Sequence, residues 1–422
     1  MAAPLGNDEY LQSIRTGLES LTAAAERCQS VYAGEAADDA KGLIAREAVR
    51  RALVLEGFKF LQAAQGPVDA AATCYEKTAH LGSIRALLEM GLFDELPADG
   101  SSCTISELSN KLQVDESLLI RLVRNTALYG PLEEAGPGLY RHTPFSLVYL
   151  RPEIKGMFRF AMDEHMPAHL KLHEFLQLNA WKSPNSTTNN PYTHAHATNG
   201  LSMFANLSTK PKRLEAFNNG MTVQATTAIW MIDLFPFRET LSASNPTSTT
   251  VLAVDIGGGK GKAISRIRSL AGNLPGRFIL QDQTHVIKAL DGASPPISYL
   301  DGIETMAYDF FTEQPVQGAL VYLIRRCLHN WPKDRVEEIL KNTAAAMKAE
   351  SRLLIEEIIV PLTGSGIEEG WMDLIMMSLG AQQRALEEWK AVLHTAGLEL
   401  TNVYQLPGYP HGLIEAQVRK TV

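Results

Sequence analysis

The sequence predicts a helical N-terminal half followed by an α/β domain built on a parallel sheet. Three observations carry this. Apolar residues recur at helical spacing through the first half, in stretches such as "YLQSIRTGLESLTAAAERC" and "LIAREAVRRALVLEGFKFLQAA". From Val251 onward, short apolar runs alternate with helical segments, as parallel strands covered on both faces do. Between the halves lies "SASNPTSTT" (242–250), a polar stretch suited to a linker. A chain of 422 residues is also too long for one ordinary core.

Taken in order, residues 8–66 read as helices. "SIRALLEMGLFDEL" is an amphipathic helix. "TISELSNKLQVDESLLIRLVRNTALYGPLEE" gives a helix opened by Thr104, a turn at Val114-Asp115 and a second helix, and "GLYRHTPFSLVYL" reads as a wing strand. A winged helix-turn-helix suggests DNA binding. The second helix, however, offers only Arg121 and Arg124 as cations, and the formal net charge is −8. Neutralising phosphates needs a basic face, so a structural or dimerising role is expected and nucleic acid is not. Residues 151–241 are helical and rich in Met, Phe and His, interrupted by the polar stretch "NAWKSPNSTTNNPYTHAHATNG". The alternating histidines of "THAHA" have no carboxylate or cysteine at ligand spacing, so they read as loop histidines and no metal site is expected. Domains are expected at 1–150, 151–241 and 242–422.

Composition narrows the class. The longest apolar runs are short and carry carboxylates, so no membrane span is expected. The N-terminus has acidic residues and no apolar h-region. Cys28, Cys74, Cys103 and Cys327 form no CxxC pair, and a reducing cytoplasm is the natural reading.

The expected strands of the last domain are "VLAVDIG", "RFILQD", "ISYLDG", "GALVYLIRR" and "SRLLIEEIIVP". The first runs into "VDIGGGKGKAISRI", with Gly257, Gly258, Gly259 and Gly261 between strand and helix. Glycines there allow a tight turn and a close approach of backbone to ligand. Dinucleotides, flavins and S-adenosylmethionine (SAM) all use such a turn. Two details favour SAM. Asp255 ends the first strand, where a carboxylate suits an ammonium and would repel a pyrophosphate. Asp282 ends the second strand, placed to accept from ribose hydroxyls. Downstream, "LIRRCLHNWPKD" (323–334) sets His329 between a strand and a helix. Packing or capping, metal ligation and general-base chemistry all remain open for that imidazole on spacing alone.

With these motifs in order, the chain resembles the class I SAM-dependent O-methyltransferases of plant and fungal type. The likeness covers most of residues 75–422. It rests on "GLFDEL", the winged helix, "EAFNNGM", "VDIGGGKG", "QDQTHVI", "YDFF", "LHNWPKDRVEEILKN", "SRLLIEEIIVP" and "GLELTNVY". The resemblance implies a helical dimerisation part, hence a homodimer, and a Rossmann-like SAM-binding domain. It also implies that Asp255 and the Gly257–Gly261 turn hold the methionine moiety, and that Asp282 holds the ribose. Asp309 and Phe310 would lie on the adenine side, and Arg325 would stand where the family usually has a lysine near the cofactor. Phe217 and Met221 of "EAFNNGM" would line the acceptor site, with His165 and Met376 as further pocket residues for a small-molecule substrate.

By the same resemblance, His329 is the general base that takes the acceptor's hydroxyl proton, and Glu357 orients its ring. The family's second flanking acid is absent, because "LGAQQRALEEW" places Gln383 there. Asn330 likewise replaces an acid that often follows the histidine. Both changes remove negative charge beside the imidazole, which weakens it as a proton acceptor. That departure opens a second expectation, since some fungal proteins of this fold hold SAM without transferring its methyl. These catalyse dehydration and pericyclic cyclisation of polyketide-derived intermediates, chemistry for which a shaped apolar cavity and a few donors suffice. The adjacent Arg325-Arg326 pair is a candidate donor pair for a carbonyl. The primary expectation is O-methylation of a small aromatic or enolic secondary metabolite.

Overall fold

The computed structural model describes residues 6–34 and 40–419. These divide into two compact units, Met1–Asp163 with Pro211–Val223, and Glu164–Lys210 with Gln224–Val422. In the first unit, helix Asn7–Ala33 packs along helix Ala40–Met90, and Tyr10 Oη donates to the Ala64 carbonyl at 2.6 Å. The longer helix breaks at Gly66, whose φ of 74° directly precedes Pro67. Glycine accepts that left-handed backbone, and proline cannot continue the preceding hydrogen-bond ladder.

The expected helix-turn-helix is present. Helix Ile105–Leu112 is opened by Thr104, which accepts from Glu107 N–H at 3.1 Å while Glu107 accepts from Thr104 N–H at 2.8 Å. Asp115 opens helix Glu116–Ala127 by accepting from Leu118 N–H at 2.7 Å. Strands β1 (Cys103–Thr104), β2 (Leu132–Gly136) and β3 (Leu139–His142) form a small antiparallel sheet in the order β1-β3-β2. The wing strand is shorter than expected, for residues Pro144–Leu147 of "TPFSLVYL" form a helix. Pro144 lacks the N–H a ladder needs but suits a first helical turn, and Thr143 caps that turn by accepting from Phe145 N–H at 3.1 Å. Leu87, Leu92, Phe93, Leu108, Leu119 and Tyr140 are buried together beneath these elements. In the same unit, helix Pro152–Phe160 packs backbone to backbone on the first-unit part of helix Pro211–Thr226. A Cβ on Gly156 would meet Asn219 Cβ at 2.6 Å, and one on Gly220 would meet Met157 Cα at 2.9 Å.

The second unit is built on one sheet. Its strands are β4 (Val251–Ile256), β5 (Arg277–Asp282), β6 (Glu304–Ala307), β7 (Val321–Arg325), β8 (Arg352–Val360), β9 (Arg384–Ala385), β10 (Leu398–Gln405) and β11 (His411–Val418). The order is β10-β11-β8-β7-β4-β5-β6, with β9 beside β8. Strands β4 to β8 run parallel, whereas β10 and β11 are antiparallel, so the sheet is mixed where the sequence suggested a parallel one. "ISYLDG" is not a strand either. Ser298–Leu300 is a 3₁₀ turn, the chain reverses at Gly302 (φ 72°), and β6 is the little-buried "ETMA" that follows. "THAHA" also differs from expectation. It lies on a short helix, Pro191–His196, capped by Asn190, and His196 Nε2 sits 2.9 Å from the Glu164 carbonyl. Among the described residues, no helix is long and apolar enough to cross a membrane.

Candidate active site

At the C-terminal ends of β4 and β5, the glycine turn is folded onto the strands rather than left open. Gly257 and Gly258 N–H groups donate to the Gln281 carbonyl at 2.8 and 3.1 Å, and Gly261 N–H donates to Gly258 O at 2.9 Å. Gly259 N–H donates to Asp282 Oδ2 at 2.8 Å, and Gln283 N–H donates to Asp282 Oδ1 at 2.7 Å. Asp282 is therefore anchored by two amides, with lone pairs left over for a further donor. Gly257, Gly259 and Gly261 all have positive φ, and a Cβ on Gly261 would meet Leu300 Cδ2 at 2.6 Å. A Cβ on Gly258 would overlap the Asp255 carboxylate and Leu280. Gly258→Ala is accordingly expected to cost about 1–3 kcal/mol of stability and to weaken cofactor binding at least tenfold, checked by melting and by titration calorimetry.

Asp255 is fully buried, and among the described residues neither carboxylate oxygen accepts a hydrogen bond of full geometry, the Ile264 amide acting only weakly on it. Burial drives its pKa up to about 7, only partly opposed by the Arg325 charge and the Ile264 amide. An orphaned buried carboxylate is a costly feature that a cationic ligand relieves. The turn's close-packed glycines and this carboxylate fit the amino-acid end of SAM. Asp282 is likewise shifted upward, by burial against its two amide bonds. Phe310 closes one side of the turn, its ring 3.8 Å from where a Gly257 Cβ would stand and packed edge-on to Trp331. Asp309 Oδ1 accepts from Phe311 N–H at 3.1 Å. Arg325 is engaged internally, its Nε 2.5 Å from Glu356 Oε2 and its Nη atoms donating to the Ala225 and Thr227 carbonyls.

His329 sits on a 3₁₀ turn, Leu328–Asn330, just beyond β7. Its Nδ1 lies 2.5 Å from Glu357 Oε2, and Glu357 Oε1 accepts from Leu328 and His329 N–H at 2.9 and 3.3 Å. Both residues are buried. An ionised carboxylate only accepts, so the proton of a neutral ring belongs on Nδ1 and the Nε2 lone pair is left available. Gln383 is buried too, but among the described residues its side-chain amide makes no hydrogen bond at either end, to His329 or to any other group. Its main-chain N–H donates to Asp373 Oδ1 at 2.8 Å.

The residue that holds the histidine turn from below was not anticipated. Arg384 is fully buried and donates from Nη2 to the Trp331 carbonyl at 2.9 Å and from Nη1 to the Leu328 carbonyl at 3.3 Å. The sequence carried one signal for it, a lone cation in "AQQRALEEW" at a strand edge. Of the remaining residues named from the sequence, His165 and Met376 are buried in the second unit, with His165 Nδ1 3.4 Å from Ser378 Oγ. Burial holds His165 neutral, its pKa lowered to about 3. Phe217 and Met221 lie on helix Pro211–Thr226, in its part within the first unit, where the Phe217 ring is 5.1 Å from that of Phe160.

Comparison with known proteins decides the family. The O-methyltransferase domain model matches residues 176–399, and the O-methyltransferase dimerisation domain model matches residues 79–152. This chain belongs to the SAM-dependent O-methyltransferase family. The methyltransferase is 69% identical to the O-methyltransferase desB of Aspergillus desertorum, over 97% of this chain and 98% of that one. Among solved structures it is similar to OxaC in complex with S-adenosylhomocysteine (SAH) and oxaline. That match has a TM-score of 0.83 and 35% identity, and covers 97% of this chain and 100% of OxaC. A structure described as a pericyclic reaction enzyme matches with a TM-score of 0.81 and 28% identity, over 95% of this chain and 100% of that one. The methyltransferase is thus a fungal-type enzyme that uses SAM.

Proposed function

We propose that this methyltransferase methylates a hydroxyl oxygen of a small aromatic or enolic secondary metabolite, with His329 as general base. The observation that carries the reading is the buried 2.5 Å contact between His329 Nδ1 and Glu357, itself fixed by two backbone amides. That arrangement sets the ring's orientation and tautomer, and stabilises the imidazolium once the proton has moved to Nε2. SAM, when bound, supplies an electrophilic methyl group. Asp255, Asp282, Phe310 and the glycine turn would hold it, with Asp309 beyond and Arg325 neutralising Glu356 beside them. His165 and Met376, in the same unit as these groups, are our candidates for acceptor contacts, and Phe217 and Met221 are candidates on the resemblance of "EAFNNGM" alone. The dimerisation domain and the apolar side chains exposed on the first two helices, Leu11, Leu18, Phe58 and Leu61 among them, support a homodimer. The four free cysteines fit a cytoplasmic enzyme. The test is incubation of the purified protein with SAM and a panel of hydroxylated aromatic polyketides. SAH must form in step with methylated product.

A second reading, dehydration or cyclisation without methyl transfer, is favoured by one observation. Gln383 presents a neutral buried amide, unpaired at both ends, where a base would be better served by an anion. Product formed while SAM stays intact would decide for it. Gln383→Glu separates the two readings from the protein side. Under methyl transfer the second anion is expected to raise the rate about 3–10-fold near neutral pH. A lower rate in a folded variant would favour the neutral pocket.

A further inference from the structure

Arg325 and Arg326 are neighbours in sequence but not in circumstance. Arg325 is ion-paired with Glu356, and both of its Nη groups donate to backbone carbonyls. Arg326 stands in a left-handed backbone conformation, φ 52°, which a non-glycine side chain adopts only when its surroundings impose it. The imposition is visible: Arg326 N–H donates to the Glu356 carbonyl at 2.9 Å as the chain leaves β7. Its guanidinium forms no ion pair among the described residues, and its Nη1 is buried without a hydrogen-bond partner.

The carboxylates whose charge reaches it are all committed elsewhere. Glu356 is held by Arg325 and by His411 Nδ1 at 2.9 Å, Glu357 by His329, and Glu368 faces His411 Nε2 at 3.4 Å. Arg326 is thus a cation with open donors, three residues before His329 and within electrostatic reach of the acid that orients that ring. Arg326 as a whole is only partly buried, but its Nη1 is sealed from solvent with no acceptor, and such a donor costs free energy unless something from outside accepts its N–H groups. The charged, planar donor group suits an oxyanion whose charge is spread by conjugation.

We propose that Arg326 is a specificity-determining residue that binds the oxygens of an acceptor whose reactive hydroxyl is conjugated to a carbonyl, an acidic enol or phenol arriving as a delocalised anion. The claim rests on the methyl-transfer reading and narrows its substrate class. It also accounts for the neutral Gln383. An acceptor that ionises readily needs little help from the base, and a second carboxylate would repel it.

The test is binding without turnover, at pH 8 with SAH present, so that it stands apart from whether methyl is transferred. The probes are 4-hydroxy-6-methyl-2-pyrone, an acidic enol, and 3-methylphenol, an ordinary phenol. Wild-type protein is expected to bind the pyrone about tenfold or more tighter than the phenol. Arg326→Met should erase that preference, and Arg326→Lys, a point charge without the fork, should keep part of it, with SAH affinity unchanged in both. Equal binding of the two probes by wild type overturns the proposal whatever the variants do. So does a preference that survives in Arg326→Met. A preference that behaves as expected, in a protein that forms no SAH from SAM with any acceptor, overturns methyl transfer and leaves the oxyanion role of Arg326 in place.

Discussion

Replacing His329 with alanine is expected to lower methyl transfer about 10²–10⁴-fold while SAM affinity stays within a few-fold of wild type. The first half follows from what the ring does. A phenol or enol is a poor methyl acceptor while protonated, and His329 Nε2 is the lone pair the Glu357 contact leaves available. The second half follows from geometry. Among the groups that fit the cofactor, Asp282 and the glycine turn bond with one another, with Gln281, Gln283 and Cys327 Sγ, and the Asp255 carboxylate is bonded to none of them; none bonds with His329. The fold should also tolerate the change, because Glu357 Oε1 keeps its two bonds to Leu328 and residue 329 N–H, and Arg384 keeps the turn's carbonyls. Single-turnover assays and calorimetry on the same preparation check both halves. Full activity in the variant would reduce His329 to a packing residue and remove the basis of the mechanism. An acceptor already ionised at the assay pH shrinks the effect towards the lower bound, which ties this experiment to the role of Arg326.

Much of this was legible in the chain because local physics determined it. The cap at Thr104, the turn at Val114-Asp115, the glycine turn after β4, and the carboxylates at the ends of β4 and β5 each depend on a few adjacent residues. What was misread depended on partners distant in sequence. "ISYLDG" looks more strand-like than "ETMA", yet the latter pairs with β5, since an edge strand needs only backbone complementarity and little apolar burial. The antiparallel β10–β11 pair is set by the register of β11 on β8, which no local pattern announces. The same holds for the site. His329 and Glu357 could be paired from motif order, but Arg384 beneath the turn and the divergent fates of Arg325 and Arg326 require knowing which carbonyls and carboxylates lie within reach. Gln383 was expected in place of the second flanking acid, and its amide, unpaired among the described residues, is visible only in three dimensions.

Asp255→Asn is expected to make the cofactor-free enzyme more stable and the cofactor weaker in binding, and pH separates the two effects. With its pKa raised from 3.8 to about 7, the Asp255 carboxyl binds its proton more tightly folded than unfolded. The ionised form therefore opposes folding above pH 7 by about 4 kcal/mol, and that penalty is relieved as pH falls towards 4. Asparagine removes the charge but still buries an unpaired amide, so the net gain at pH 8 should be about 1–3 kcal/mol. Near pH 5 the wild-type group is itself neutral, and the two proteins should unfold alike. The variant's advantage in urea midpoint should thus close between pH 8 and pH 5, a difference that cancels every other titrating group. Cofactor binding runs the opposite way, because an ammonium recruits the ionised carboxylate. Wild-type affinity should fall up to tenfold per pH unit below 7, while Asp255→Asn binds about 10–100-fold more weakly at pH 8 with a flatter profile. An affinity independent of pH between 8 and 5.5 in the wild type would mean that Asp255 does not meet the cofactor's charge. The orphaned carboxylate would then be left without a physical reason to persist at the end of β4.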